Sequence, residues 1–329
     1  MGKSRKDRRV KRLDSRKEKI ETKEEPVVQI QKNSNEKSYS NVFQKIYETK
    51  YKQLAIIPFA LLLIAFVVIG MNVVNTGDFM NKAVSLKGGV TLTIPSDVYV
   101  DTNELDSFLT SQYPDADVIV RELSDFGTQI GIIVEASDIS EDELIAVTGQ
   151  KVSLGDDYSV ETLGPSLGAS FFKQTMIAII LAFIFMGLVV FGYFRTFVPS
   201  LAVILAAFSD IVITLAIVDL MGMRIGAAGI AAFLMLIGYS VDTDILLSTR
   251  VIKRQEGTIM QRVYSAMRTG LTMNLTTIAA VTVGLLVSDS AIISQIMTII
   301  LIGLIVDIIN TWIQNVFILR YYLEKKGQK

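Results

Sequence analysis

The sequence predicts an α-helical membrane protein with six transmembrane helices, one before and five after an extracytoplasmic α+β domain. Half of the 329 residues are hydrophobic, and the mean hydropathy of +0.44 is high for a soluble domain. Six apolar runs are each long enough to cross a bilayer. About a hundred polar, acid-rich residues separate the first run from the second, too many for a simple connection.

The chain begins with a basic segment, residues 1–52, in which 16 Lys and Arg accompany 8 acidic residues. Because it has few large apolar side chains, we expect it to be mostly disordered. Its basic cluster, residues 3–12, has the charge to attract anionic lipid or RNA. We favour the simpler role of a positive-inside tail and expect no nucleic-acid partner. It is not a cleavable signal peptide, because the following apolar run starts too late and is too long.

The first predicted span, 54–74, lies within a helix over residues 53–75. The other five form a bundle over residues 174–322 and are predicted at 175–194, 198–220, 226–247, 271–287 and 292–319.

The distribution of positive charge sets the predicted orientation in the cell membrane. With the N-terminus inside, the cytoplasmic segments contain 26 Lys and Arg and the outer segments contain 6. Both termini, including the tail 323–329, are therefore predicted to be cytoplasmic, and residues 76–173 to be outside. In the cytoplasmic segment 250–270, Ile259, Val263 and Met267 recur at helical spacing and predict an amphipathic helix at the membrane interface.

The outer domain shows alternating strand and helix patterns. Strands are predicted at 90–94, 118–122, 129–134 and 158–163, and helices at 102–109 and from residue 140. Asp101 is placed to cap the first helix, and Ser140 with Glu143 forms a capping box for the second. The order β-α-β-β-α-β is that of the ferredoxin-like fold. The domain has 17 acidic residues against 5 Lys and Arg, which indicates a solvated surface or, alternatively, partner recognition.

Composition excludes several classes of chemistry. The chain has no cysteine and no histidine, so it cannot form disulfides, thiolate sites or imidazole metal sites. We find no Walker loop, Ser/His triad or metal-ligand cluster in the sequence. We therefore expect no enzymatic activity, no metal and no cofactor. A proton carrier inside the membrane would have to be a carboxylate, Tyr or Lys.

Acidic residues inside the predicted spans are the candidate functional residues. A carboxylate at mid-membrane costs about 2.5–3.5 kcal/mol and usually faces the bundle interior or an ion path. Span four carries Asp242 and Asp244, which point about 200° apart around a helix. At similar predicted depth, span three carries Asp210 and span six carries Asp307. We consider all four ion-coupling candidates and place Asp242 first, grouped with Asp210 and Asp307.

Neighbouring polar residues support that interpretation. Asn310, Thr311 and Gln314 follow Asp307 along one helical face, and span five contributes Asn274. Thr276 and Thr277 are further candidates on span five. The alternative is that these residues only hold helices together, or that the span-four acids pair locally with Arg250. Several carboxylates at one level favour a polar pathway.

Four local motifs lie at the ends of the outer domain and in spans four and five. They are Lys87-Gly88-Gly89, Leu163-Gly164-Pro165-Ser166-Leu167-Gly168, the stretch from Leu236-Ile237-Gly238-Tyr239-Ser240-Val241-Asp242 to Arg250, and Arg268-Thr269-Gly270-Leu271 with Thr276-Thr277. These motifs resemble those of the archaeal SecF family, whose members are the smaller subunits of the SecD/SecF protein-export complex. The resemblance covers about residues 54–322, and the span-four stretch is its most specific part.

The resemblance implies an RND-superfamily subunit that works with a SecD-like partner, the SecY channel and translocating unfolded polypeptides, driven by the proton motive force. It places Asp242 at the span-four aspartate linked to proton coupling in SecD. It places Asp210 at the family's span-three aspartate and Arg250 at the arginine that closes the signature. Bacterial SecF usually has Asn-Asp-Thr at positions 242–244, so the acid is displaced in this chain.

Two other functions remain open from the sequence. One is a stand-alone RND-type exporter or lipid transporter, although the single outer domain and short loops leave little protein for a substrate funnel. The other is a structural scaffold of the translocation channel without ion coupling. One span followed by an outer domain and five spans is half of a duplicated twelve-span plan, so we expect a second copy of the chain or a homologous partner.

Overall fold

The computed structural model describes residues 39–96, 98–114, 116–125, 128–155, 157–253, 257–288 and 290–327. Residues 48–329 form one compact unit, to which the following description applies. The predicted disorder of the basic tail falls on residues that are mostly outside the described ranges, and the described part begins with a helix at Tyr39–Thr49.

Within the described residues, six helices are long and apolar enough to cross a membrane. We number them spans 1 to 6: Tyr51–Thr76, Pro165–Phe194, Phe197–Leu220, Ala227–Lys253, Ile259–Val287 and Ile292–Lys325. Span 1 consists of a short helix, Tyr51–Leu54, and a longer one, Ile56–Thr76.

Two of the spans contain a π-helical stretch. Span 4 is α-helical over Ala227–Ser248 and π-helical over Thr249–Lys253. The sixth helix is α-helical over Ala291–Ile309, π-helical over Asn310–Asn315 and α-helical again over Val316–Lys325. Because π-turns are rare and occur mostly at functional sites, the stretch in span 6 marks a place to look for function.

Spans 3 and 4 form the centre of the bundle. Over the most apolar 18-residue stretch of each helix, 61% of the residues of span 3 and 56% of those of span 4 are buried. The corresponding share is 17% or less in spans 1, 2 and 5. Span 6 packs closely on span 4 because Gly303 has no side chain. A Cβ at this position would collide with the side chain of Leu236, which is fully buried. The close approach brings the polar residues one turn further along both helices together.

The outer domain contains a four-stranded antiparallel sheet. Its elements are α1 (Val84–Lys87), β1 (Gly89–Pro95), α2 (Thr102–Gln112), β2 (Asp117–Asp125), β3 (Thr128–Ser137), α3 (Glu141–Thr148) and β4 (Ser159–Leu163). The sheet order is β2-β3-β1-β4. Leu92 and Val134 of the sheet pack with Leu105 and Leu144 of the helices in the domain core.

The predicted strands and helices of this domain are confirmed to within a few residues, and so are both helix caps. The Asp101 side chain accepts hydrogen bonds from the backbone nitrogens of Asn103 and Glu104, at 2.9 and 3.2 Å. Ser140 and Glu143 form the expected capping box. The predicted turn between β2 and β3 includes two residues outside the described ranges.

The first two family motifs pack against each other where the chain enters and leaves the outer domain. Gly88 has φ +90°, and a Cβ there would lie 2.5 Å from Cα of Pro165. A Cβ at Gly168 would lie 2.6 Å from the nitrogen of Gly88. Both contacts are with backbone, which cannot move aside as a side chain could. These glycines therefore allow the segment that enters the outer domain and the segment that leaves it to lie in direct contact.

A second junction joins the outer domain to the loop between spans 3 and 4. Asp117, the first residue of β2, forms ion pairs with Arg224 of that loop and with Lys87, the latter at 2.7 Å. The nitrogen of Ile225 donates to the Asn81 carbonyl at 2.7 Å. The segment after span 1 and the base of the sheet are thus fixed to the outer end of span 4.

The segment before span 5, which we predicted to be cytoplasmic, differs from our expectation. Instead of a separate interfacial helix, residues from Ile259 onward begin span 5 itself, with Thr258 as N-cap. Ile259 and Val263 are buried in the protein. Their apolar face packs against neighbouring helices, so the amphipathic pattern has a partner other than lipid. Span 2 likewise starts earlier than predicted, at Pro165.

Candidate ion-coupling site in the membrane

Three carboxylates meet in the middle of the bundle: Asp210 of span 3, Asp244 of span 4 and Asp307 of span 6. Each has 0% of its surface exposed. We call these three residues the carboxylate cluster. The three residues lie on helices that pack against one another in the bundle.

Each carboxylate accepts hydrogen bonds from uncharged side chains. Asp210 receives the Ser240 hydroxyl at 2.5 Å and the Asn310 amide at 2.7 Å. Asp244 receives the Asn315 amide at 2.7 Å. Asp307 receives the Asn274 amide of span 5 at 2.8 Å. The network therefore links four spans.

Thr311 contacts two members of the cluster at once. Its hydroxyl oxygen lies 3.1 Å from Oδ1 of Asp244 and 3.0 Å from Oδ1 of Asp307. The Thr243 hydroxyl lies 3.3 Å from the other oxygen of Asp307. Asp244 and Asp307 are therefore neighbours across a single hydroxyl group.

The cluster has no positively charged partner among the described residues, since no Lys or Arg there forms a salt bridge with any of the three aspartates. Six buried side-chain oxygens on the same three helices have no hydrogen-bond partner: those of Thr214, Asp244 (Oδ2), Ser248, Asn310, Gln314 and Asn315. All six are oxygens that can accept a hydrogen bond. Buried carboxylates without counter-charge are costly when ionised, so the cluster has the chemistry to take up protons or a small cation.

Asp242 lies elsewhere. Its side chain is exposed on the opposite face of span 4, together with Gly238 and Tyr239. The structure therefore differs from our grouping of Asp242 with Asp210 and Asp307, since Asp244 occupies that place. Ser240 and Ser248 each lie one turn from Asp244 and share its buried face, so Asp242 lies on the opposite, exposed face.

The other predicted site residues divide between the cluster and its surroundings. Ser240 and Asn274 belong to the network described above. Thr276 and Thr277 instead donate to backbone carbonyls of their own helix, at 2.8 and 3.1 Å from the Met273 oxygen. Arg250 donates to the backbone and the hydroxyl of Ser265 at the start of span 5. Gly88 and Gly89 lie at the outer-domain junction.

Sequence reasoning missed Asn315, Thr243 and Ser209. Asn315 follows Asp307 by eight residues and so belongs to the same helical face, but our count along that face ended at Gln314. Thr243 precedes Asp244 by one residue and reaches the adjacent helix. Ser209 accepts from Gln314 at 3.1 Å. Only its position beside Asp210 could have indicated it.

Comparison with known proteins identifies the family. A family described as protein export membrane protein SecD/SecF, C-terminal, matches residues 146–325. The SecF protein-export membrane protein of Methanolacinia petrolearia is 36% identical over 280 residues, covering 84% of this chain and 95% of that protein. The chain belongs to the SecF family. The SecF protein of Pyrococcus furiosus is 35% identical over 284 residues, covering 86% of this chain and 95% of its own length.

A solved structure shows the same fold as this SecF-family chain. The crystal structure of SecDF from Thermus thermophilus, a translocon-associated membrane protein, superposes with a TM-score of 0.67 at 19% identity. It covers 86% of this chain but only 42% of the SecDF chain. The SecF-family chain therefore spans less than half the length of that protein.

Proposed function

We propose that this SecF-family chain assists protein translocation through the SecY channel, as one half of a complex with a SecD-like subunit, and that an ion gradient drives it through the carboxylate cluster. The observation that carries the proposal is the burial of Asp210, Asp244 and Asp307 together, with no ion-paired Lys or Arg among the described residues. Protonating such a group removes the penalty of a buried charge and changes which helix packing is favoured.

The membrane potential supplies enough free energy to shift a conformational equilibrium. One elementary charge moving down 100 mV releases about 2.3 kcal/mol. That free energy shifts a two-state equilibrium roughly fiftyfold, since about 1.4 kcal/mol corresponds to a factor of ten. The gradient can therefore drive a conformational cycle without covalent chemistry.

The proposed topology is one span, a ferredoxin-like outer domain and five further spans, with both termini in the cytoplasm. The element order β-α-β-β-α-β and the sheet order β2-β3-β1-β4 support the ferredoxin-like assignment. The distribution of Lys and Arg supports the orientation.

The exposed face of span 4 supports a membrane partner. Met235, Gly238, Tyr239 and Asp242 are exposed along it. A carboxylate facing lipid at this depth would cost about 2.5–3.5 kcal/mol. A SecD-like subunit seated on this face would remove Asp242 from lipid, and the glycine would allow close helix approach.

The outer domain is the part proposed to engage the translocating polypeptide. The ion pairs of Asp117 and the backbone hydrogen bonds of Ile225 tie this domain to the outer end of span 4. Because Asp244 lies on the same span, a shift of span 4 on ion binding would be transmitted to the sheet.

The proposal is tested by exporting a secreted reporter in cells whose membrane potential is graded with an ionophore. With the wild-type chain, export should fall as the potential falls. With Asp210, Asp244 and Asp307 all replaced by Asn, export should be low and independent of the potential. If this variant, at matched membrane levels, exports like the wild type, the chain is a scaffold and ion coupling does not pass through it.

A further inference from the structure

The hydroxyl of Thr311 lies between two buried carboxylates but carries only one proton. It is 3.1 Å from Oδ1 of Asp244 and 3.0 Å from Oδ1 of Asp307, and all three side chains are fully buried. A hydroxyl can donate one hydrogen bond and accept two. It can bond to both carboxyl groups only if it donates a hydrogen bond to one and accepts a hydrogen bond from the protonated oxygen of the other.

The surroundings of the two carboxyl groups are unequal. Asp307 has a donor on each oxygen, with Asn274 at 2.8 Å from Oδ2 and Thr311 near Oδ1. Asp244 receives the Asn315 amide on Oδ1, but its Oδ2 is buried without a partner. Because an ionised carboxylate distributes charge over both oxygens, Asp307 is the better site for the negative charge and Asp244 the better site for the proton.

The charged groups around the pair are acidic in the described part of the chain. The titratable group that faces the pair from span 3 is Asp210, and span 5 contributes the neutral Asn274. No Lys or Arg among the described residues is ion-paired with the cluster. The group that lies between Asp244 and Asp307 is the Thr311 hydroxyl.

We propose that Thr311 is a proton relay between Asp244 of span 4 and Asp307 of span 6. In one step the carboxyl proton of Asp244 passes to Oγ1 of Thr311 while the hydroxyl proton of Thr311 passes to Asp307. The threonine remains neutral, one proton has moved from span 4 to span 6, and the negative charge has moved the other way. Nothing is oxidised or reduced. This inference rests on the proposed ion coupling and identifies its ion as the proton.

Helical spacing explains how one residue can fill this position. Thr311 follows Asp307 by four residues and so lies on the same face of span 6. Asn315 follows Thr311 by four more residues and lies on that face too, where its amide donates to Asp244 at 2.7 Å. The π-helical stretch that begins at Asn310 buries Trp312 in addition to the polar residues of that face.

The experiment compares Thr311→Val with Thr311→Ser in the complex with its SecD-like partner, reconstituted in lipid vesicles. Proton entry is followed with a pH-sensitive dye after a potential is imposed in sodium-free buffer. Valine keeps the size and branching but cannot relay a proton, whereas serine keeps the hydroxyl. We expect Thr311→Val to slow proton entry by about 100-fold, the low end of what a positioned proton-transfer group contributes, and Thr311→Ser to remain within about twofold of the wild type.

Several outcomes would overturn the relay. Proton entry in Thr311→Val at the wild-type rate would show that the hydroxyl is not on the path. An equal loss in Thr311→Ser would indicate a packing role, and a requirement for sodium would show that the coupling ion is not the proton.

Asp244→Asn in the same assay separates the two proposals. If it abolishes ion movement while Thr311→Val does not, only the relay fails; if neither variant has an effect, the coupling site itself is wrong.

Discussion

Asp242 and Asp244 are two residues apart on span 4, yet Asp244 is fully buried in the carboxylate cluster and Asp242 is exposed on the opposite face. Two carboxylates on one helix therefore have separate surroundings, and we propose separate roles for them. Asp244 belongs to the proposed ion site inside this chain. Asp242 belongs to the face on which we place the SecD-like partner.

Gly238 tests the partner face. A Cβ at this position would meet nothing within 4 Å in this chain, so Gly238→Leu should fold normally and obstruct only what docks from outside. We expect the SecD-like subunit to co-purify poorly with this variant. Gly192→Leu in span 2, an equally open position, is the matched control and should keep the partner. Loss of the partner in both variants, or in neither, would contradict the assignment of this face.

Gly168 tests the junction between the outer domain and span 2. Gly168→Ala would place a methyl group 2.6 Å from the nitrogen of Gly88. Overpacking of this kind typically costs about 1–3 kcal/mol, so the thermal unfolding temperature should fall. Gly192→Ala, in the same span but without a neighbour within 4 Å, should leave the unfolding temperature unchanged or raise it slightly. Equal stability of the two variants would mean that Gly168 and Gly88 are not in close contact.

Asp117 tests the connection between the sheet and span 4. Asp117→Asn removes both ion pairs, with Arg224 and with Lys87. Hydrogen bonds to charged groups contribute about 1.5–3 kcal/mol each when well formed, and the half-exposed Asp117 should give the lower end of that range. Faster amide hydrogen exchange in β2 and weaker dependence of export on the membrane potential are expected.

The control for Asp117 is Glu104→Gln, which breaks an exposed pair with Lys151 on the far side of the domain. Such surface pairs contribute little, so exchange in β2 and export should both stay at wild-type levels. If Asp117→Asn behaves like this control, the outer domain moves independently of span 4.

Much of the fold could be predicted because membranes and small domains impose strong periodic patterns. Six long apolar runs and the alternating pattern of residues 90–163 predicted the spans and the strands. Asp101 and Ser140 predicted helix starts because capping depends on local sequence alone. The continuation of span 5 back to Ile259 was not predictable, because an amphipathic face looks the same whether lipid or protein covers it.

The site was only partly predictable. Asp210 and Asp307 were expected from the cost of a carboxylate in a membrane, and helical geometry separated Asp242 from Asp244. Which of those two faces inward depends on how spans 3 and 6 pack, which no single-helix pattern contains. Asn315 was missed although it follows Asp307 by eight residues on the same helical face, because our count of polar residues on that face ended at Gln314.

The most direct test of the central claim compares Asp244→Asn with Asp242→Asn in export of a secreted reporter at graded membrane potential and matched membrane levels of the protein. We predict that Asp244→Asn exports poorly and loses its dependence on the potential, because a buried coupling carboxylate is gone. Asp242→Asn should keep that dependence and at most weaken binding of the SecD-like partner. The opposite result, with the potential dependence lost only in Asp242→Asn, would contradict the account and place the coupling site on the exposed face of span 4.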